Sequence, residues 1–221
     1  TLVFFLLLFL AVFQIYLQRE LSRKLDDHIA SVENLYDDLL TNRSAVMQSF
    51  ISLIQKDRGL QQAMLQHDRE KLLGKSRAVF RELLRDQKIT HLYFHTAEGL
   101  NLLRVHKPER FGDRIERLTM QQARSGIQVS AGAEMGPLGT FTLRVVVPWF
   151  SDERLIGFVE LGEEIEPLLE QLVKQTGSQM VILVRKKLLN RTDWQEGMRM
   201  LGRDPGWDLL PEHVVTAVTE P

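Results

Sequence analysis

The sequence predicts an α+β fold: a long N-terminal helix leading into a five-stranded antiparallel sheet with flanking helices. Three observations predict it. Residues 18–56 contain neither proline nor glycine, the two residues that most often end a helix. Five segments between residues 89 and 161 read as strands separated by Gly, Pro and Asp turns, and two of them, 140–150 and 155–161, are rich in β-branched and aromatic side chains. Helices come first and strands afterwards, an order that favours an antiparallel sheet over alternating βαβ units.

The first 17 residues, TLVFFLLLFLAVFQIYL, carry no charge, and Gln14 is their one strongly polar side chain. With no methionine or charged flank ahead of them, they read as the remainder of a longer apolar segment of the ~20 residues that cross a bilayer. A signal-peptide core or a buried helix would share this composition. Against a cleaved signal, Gln18-Arg19-Glu20 runs straight on into helix. Residues 1–17 are therefore expected to be a transmembrane anchor, with Tyr16, Arg19, Arg23 and Lys24 at the interface.

Residues 18–57 form the long helix. Leu21, Leu25, His28, Val32, Leu35, Leu39, Asn42, Val46, Ser49 and Leu53 follow alternating spacings of four and three, an imperfect heptad seam. Ile29, Tyr36, Leu40, Met47, Phe50 and Ile54 make a second apolar stripe. Two stripes suit one face on the domain and one on a partner helix, hence a homodimer. A single wide face buried within one subunit is the competing reading.

Asp57-Arg58-Gly59 reads as the end of that helix, with Gly59 in the C-terminal position. Residues 61–67 and 68–86 continue as helix, with Asp68 as N-cap and Leu72, Leu73, Val79, Phe80, Leu83 and Leu84 as the apolar face. Residues 89–95 and 100–106 form a hairpin around Thr96-Ala97-Glu98-Gly99. After a polar loop over 108–117 and a short helix over 118–124, three strands are expected. They cover 132–135, 140–150 and 155–161, with turns at Gly136-Pro137-Leu138-Gly139 and Ser151-Asp152-Glu153-Arg154. Residues 163–176 read as a helix with acidic residues in its first turn. Residues 58–176 then make one module. Residues 177–221 open a second, smaller or truncated one, with a strand at 180–184, a helix over 190–203 broken near Gly197, and a turn at 204–207.

Composition narrows the function. With 28 Lys and Arg against 29 Asp and Glu, the formal net charge is −1, so no basic field points to nucleic acid. The absence of cysteine removes thiolate catalysis and Cys-ligated zinc, and suits a periplasmic domain. No nucleophile elbow, phosphate-cradling glycine loop or paired-carboxylate spacing appears, so neither a catalytic residue nor a cofactor is assigned. His91, His95, His106 and Glu134 lack compact ligand spacing, and no metal set is assigned.

The polar residues of the sheet are the candidate site. Arg104 and His106 lie two apart and share a face, as do Tyr93 and His95 on the partner strand, and Arg144 lies on the later hairpin. Such a face suits a small anionic or polar ligand, such as a carboxylate, an amine or an amino acid, because arginine grips carboxylates through paired hydrogen bonds. Equally, Arg104 and Arg144 could pair with internal acids, among them Asp113, Glu134 and Glu160, and brace loops to the sheet. Residues 107–113 could be a lid over the pocket, with Asp113 gripping Arg104 or a ligand amine, or a solvated connection shaped by its Pro and Gly. The ligand-binding candidates are Tyr93, His95, Arg104, His106, Asp113, Glu134 and Arg144.

These residues carry a family resemblance. Residues 103–113, LRVHKPERFGD, are similar to the LRVHnPeryGD signature of one double-Cache branch of sensor domains. Trp194, Glu196-Gly197-Met198 and Leu201-Gly202-Arg203 resemble the same branch. The resemblance runs from about Gln18 to the end. It implies a PAS-like sheet in the periplasm on an inner-membrane receptor, the sensor itself non-catalytic. In that branch the sensor caps histidine kinases, chemoreceptors or diguanylate cyclases, and a complete receptor continues to a second membrane helix and an output domain.

Overall fold

In the computed structural model, residues 2–136, 139–200 and 202–219 are described. The central pair of the turn expected at 136–139, Pro137 and Leu138, lies outside them, as do Leu201 of the resemblance and Glu220 and Pro221. The chain divides after Leu39 into two compact units. Helix α1 runs over Leu2–Gln55. In the first unit its apolar side chains from Phe4 to Leu17, and Leu21, Leu25 and Ile29 after them, are exposed, and this helix is long and apolar enough to cross a membrane.

In the second unit, the last turns of α1 are followed by α2 (Arg58–Leu65) and α3 (Arg69–Gln87), then β1 (Ile89–His95) and β2 (Asn101–Arg104). Helix α4 (Leu118–Gly126) precedes β3 (Ser130–Met135), β4 (Phe141–Ser151) and β5 (Arg154–Glu164). The predicted five-stranded antiparallel sheet forms, in the order β2-β1-β5-β4-β3. Helix α5 (Glu166–Thr176) leads to a two-stranded ribbon, β6 (Val181–Arg185) and β7 (His213–Val218), with α6 (Arg191–Met200) between them.

The two sheet faces separate by the period of two. Leu92, Phe94, Leu143, Val145, Val159 and Leu161 have no exposure and sit on the face covered by α2, α3 and the end of α1. Gln55 ties that end to β4, donating from Nε2 to the Pro148 carbonyl (3.0 Å) and accepting from Trp149 Nε1 (3.2 Å). Met47, Ile51 and Ile54 are buried here, whereas Val46 and Leu53 of the heptad seam remain exposed. Arg43 on α1 grips Glu163 on β5 with its Nε at 2.8 Å from both carboxylate oxygens, and it also reaches the Gln87 carbonyl at the end of α3. On the other face, Ile115, Met120 and Ala123 pack on Val146 and Phe158, leaving the remaining positions polar.

Four local expectations need correction. Asp57 caps α2 by accepting from Leu60 N (2.8 Å), so Gly59 lies inside that helix and α1 ends at Gln55. The capping hydrogen bond satisfies a free amide that a glycine C-cap would leave open. Strand β5 continues to Glu164, so Glu163 and Glu164 are strand residues and only Glu166 occupies the first turn of α5. Pairing of Leu143 with Glu163 and Thr142 with Glu164 holds them extended, overriding their helix propensity. Helix α6 passes unbroken through Gly197, held by burial of Trp194 and Met198 against Val184 and Val214. The strand β7 has no counterpart among the expected elements. The Asp68 cap holds, accepting from Lys71 N at 3.0 Å.

Gly157 shows why one bend has to be glycine. Its φ is +153°, and a Cβ there would stand 2.2 Å from the His95 carbonyl oxygen and 2.3 Å from Met64 Cε.

Candidate functional site

Strand pairing builds the polar face. Tyr93 on β1 is opposite Arg104 on β2 and Glu160 on β5, and Arg144 on β4 is opposite Gly162. Because successive side chains alternate, His91, Tyr93, His95, Arg104, Arg144, Glu160, Gly162 and Glu164 share one side. Gly162 leaves room for the Arg144 guanidinium, whose NH1 would lie 3.5 Å from a Cβ there.

Tyr93 is the hub. The guanidinium carbons of Arg104, Arg117 and Arg144 lie 5.5, 5.4 and 5.8 Å from its ring centroid. His91 and His95 stack on it at 6.0 and 5.5 Å, and His106 meets it edge-on at 4.9 Å. Arginine beside an aromatic face is favourable, and more so where water is excluded.

Internal carboxylates hold these cations. Glu160, with no exposure, accepts from His95 Nε2 (2.9 Å), from Arg144 NH1 (2.7 Å) and from Arg117 NH2 (2.5 and 2.8 Å). Burial by itself would raise its pKa. Arg117, the His95 hydrogen bond and Arg144 outweigh burial and hold it well below the usual carboxylate range. Asp113 accepts from Arg104 through both oxygens at 2.7 Å, which lowers its pKa and raises that of Arg104. Glu134 accepts from Thr119 N (2.7 Å) and Thr119 Oγ1 (3.0 Å), and stands 3.9 Å from Arg144 Nε.

Two imidazoles, those of His91 and His106, stay neutral. Burial, then Arg144 and His106, push His91 down to about 3, and burial, then Arg104 and Arg144, push His106 down to about 4. Glu164 goes the other way: burial and the neighbouring Glu166 raise it to about 7.

All seven predicted site residues therefore lie in this one cluster or on its edge. Arg104 takes the bracing geometry weighed from the sequence. Besides Asp113 it donates to the Asn101 side chain (3.1 Å) and the Arg110 carbonyl (2.8 Å), while Arg69 reaches the Pro108 carbonyl (2.7 Å). The 107–113 segment is thus clasped to the sheet. Arg117, His91 and Glu164 complete the cluster and were not among the candidates. Glu164 was legible, since Glu160, Gly162 and Glu164 keep the period of two, but an early helix start hid it. Arg117 sits in irregular chain, where no periodicity marks it.

Several polar atoms of the cluster are buried without a hydrogen-bond partner among the described residues: His95 Nδ1, His106 Nδ1, Arg117 Nε, Arg144 Nε and Glu164 Oε2. No three His, Asp or Glu side chains among the described residues assemble into a metal-holding group. A groove of about 720 Å³ lies apart from this face, between α5 and β7, lined by Leu169, Val173, Arg203 and Val218 among others.

The chain thus forms an α+β module: a five-stranded antiparallel sheet with one helix-covered face and one face of paired charges. Residues 22–196 match the family described as the double sensory domain of two-component sensor kinases, and the chain belongs to that double-Cache family. No curated protein matches the chain. Among solved structures, it is similar to a domain of a sensory box/GGDEF family protein from Vibrio parahaemolyticus. That match has 20% identity, covers 71% of this chain and 70% of that one, and has a TM-score of 0.51. It is also similar to the E. coli DcuS sensor domain, at 15% identity, 65% and 98% coverage and a TM-score of 0.47. The Vibrio likeness shows a shared fold.

Proposed function

We propose that this chain is the sensing region of a signalling receptor, anchored in the inner membrane by residues 1–17, with its sheet in the periplasm. The polar face takes up a small anionic or polar ligand. The observation that supports this best is the trio of guanidinium groups around Tyr93, of which Arg104 and Arg144 are buried and Arg117 half-buried. The Nε–H groups of Arg117 and Arg144 make no hydrogen bond among the described residues, with Glu134 Oε2 standing off at 3.6 and 3.9 Å. An unpartnered cationic donor away from water is costly, and a ligand carboxylate would relieve that cost through charge-assisted hydrogen bonds. Residues 177–221 begin the second module of the double sensor, and output belongs to a separate domain of the receptor.

Strand β5 supplies the relay. Its Glu160 sits in the ligand face, while Glu163 on the opposite side is gripped by Arg43 of α1. A shift of β5 on ligand uptake pulls on that grip and biases the packing of α1, which pairs with a second copy through the 21–53 seam. Such a relay requires two arrangements that the ligand binds with different affinity. A second reading, an anchored dimer spacer, draws on the Arg104–Asp113 brace, which needs no ligand.

The test is a thermal-shift screen of the full chain in lipid nanodiscs against a panel of small carboxylates. At least one should raise the melting temperature of the wild type and leave Arg117→Gln unmoved. A panel that moves neither protein leaves the spacer.

A further inference from the structure

Residues 58–176 meet residues 177–219 through an apolar contact and an ion pair. Met135 and Phe141 pack against the cluster of Val184, Trp194, Met198 and Val214. The ion pair joins Glu166, in the first turn of α5, to Arg203, whose NH2 stands 2.9 Å from Oε1. Arg203 also donates from NH1 to the Thr216 carbonyl on β7 (2.6 Å) and from its backbone N–H to the Met198 carbonyl of α6 (2.8 Å). One guanidinium therefore holds the start of α5 to β7.

Glu164 comes two residues before that grip, as the last residue of β5. Its Oε2 is buried and accepts nothing among the described residues, and its Oε1 stands 3.9 Å from His91 Nδ1. The groups that bear on it are Thr90 and His91 from β1, Arg144 from β4, Glu166 from α5 and Arg203 beyond α6. Thr142, opposite it on β4, carries no charge. The cations are already committed: Arg144 NH1 donates to Glu160 at 2.7 Å, Arg203 is held by Glu166, and His91 is neutral. A charged Glu164 would stand without a partner of its own, beside a second carboxylate. Burial and Glu166 accordingly keep its carboxyl up at about 7.

We propose that the junction of β5 and α5 is a proton-operated clasp. With a proton on Glu164, Arg203 belongs to Glu166 and the start of α5 is held to β7. When the proton leaves, the carboxylate is relieved by reaching water or by drawing Arg203 off Glu166, and either movement opens the grip. The clasp needs no ligand and so goes beyond the sensing function proposed above. It makes the link between residues 58–176 and 177–219 answer to the pH around the domain.

The sign follows from linkage. In the closed junction Glu164 keeps its proton up to about 7, and in the open one it returns to its ordinary 4.5, so opening gains as pH rises. Between pH 6 and pH 8 the open population should rise about tenfold.

Hydrogen–deuterium exchange of the full chain in lipid nanodiscs, read at pH 6 and pH 8 with exchange times scaled for the intrinsic rate, tests the clasp. In the wild type, protection over 164–170 and 203–218 should fall about tenfold between the two, while β1 and β4 keep theirs. Glu164→Gln, nearly isosteric with the protonated side chain, should hold the pH 6 protection at both values. Glu166→Gln, which releases Arg203, should show low protection in the same segments at both. Unchanged protection in the wild type, an equal fall in Glu164→Gln, or a fall shared evenly by all five strands of the sheet overturns the proposal. None of these results touches the ligand-sensing function, which the thermal-shift screen decides separately.

Discussion

The two faces of the five-stranded sheet obey opposite rules. Against the helices, Leu92, Phe94, Leu143, Val145, Val159 and Leu161 are fully buried apolar side chains, any of which could be exchanged for another of similar volume at modest cost. On the other side, Tyr93, Arg104, Arg144, His95 and Glu160 are almost as buried, yet each depends on a particular neighbour. Burial on the first face needs shape, whereas on the second it needs matched charge. Only the second leaves polar atoms unspent, so only the second can discriminate among small polar molecules.

The sharpest way to break this contrast is Glu160→Gln. It leaves Arg117 and Arg144 without their shared carboxylate and should cost about 3–5 kcal/mol in chemical denaturation. A loss near zero would mean that the charges on this face are not matched pair by pair. Next in size, Gly157→Ala forces a methyl against the His95 carbonyl and Met64, and should cost about 1–3 kcal/mol.

Acid titration separates the faces further. His91 and His106 are held neutral to about 3 and about 4, whereas in the unfolded chain they take up protons near their ordinary value of 6.5. Their stabilisation is present above 6.5 and is lost as pH falls toward the folded values. Glu164 works in the opposite sense: with its folded pKa raised to about 7, the fold binds a proton that the unfolded chain releases above about 4.5, so it stabilises as pH falls through 7. Two imidazoles outweigh one carboxyl. Stability should fall by about 1–2 kcal/mol between pH 7 and pH 5, and in Glu164→Gln by about twice as much. A pH-independent wild type would refute the neutral-imidazole assignment. The smallest effect is expected from Asp113→Asn. That carboxylate is half exposed, so solvent screens its pair with Arg104 and the loss should stay below about 1 kcal/mol.

Much of this was legible in the sequence, for reasons that differ by face. Alternation made the strands, their shared faces and the meeting of Arg104, His106, Tyr93 and His95 readable, because period two fixes direction without knowledge of the partner. The hydrogen-bond partners were harder. Asp113 and Glu160 could be named as candidate acids, but the choice between them is made by strand register, which brings Tyr93 opposite both Arg104 and Glu160. Arg117 was invisible because its position is set by the loop that carries it over the sheet. Glu163 and Glu164 read as helix because acidic residues favour a first helical turn, and only cross-strand pairing with Leu143 and Thr142 decides otherwise. The strand β7 was missed for a related reason: its pairing with β6 and the burial of Val214 against Trp194 come from distant chain.

The alternation along β5 has a consequence for how such a protein can change over time. Glu160 and Glu163 look out from opposite sides of one strand, each toward its own arginine. Deleting or inserting one residue between them would turn a carboxylate into an oily layer and a leucine into the charged one. Point substitutions can alter the charged layer one side chain at a time, but a change of length at this spot exchanges the two layers in a single step.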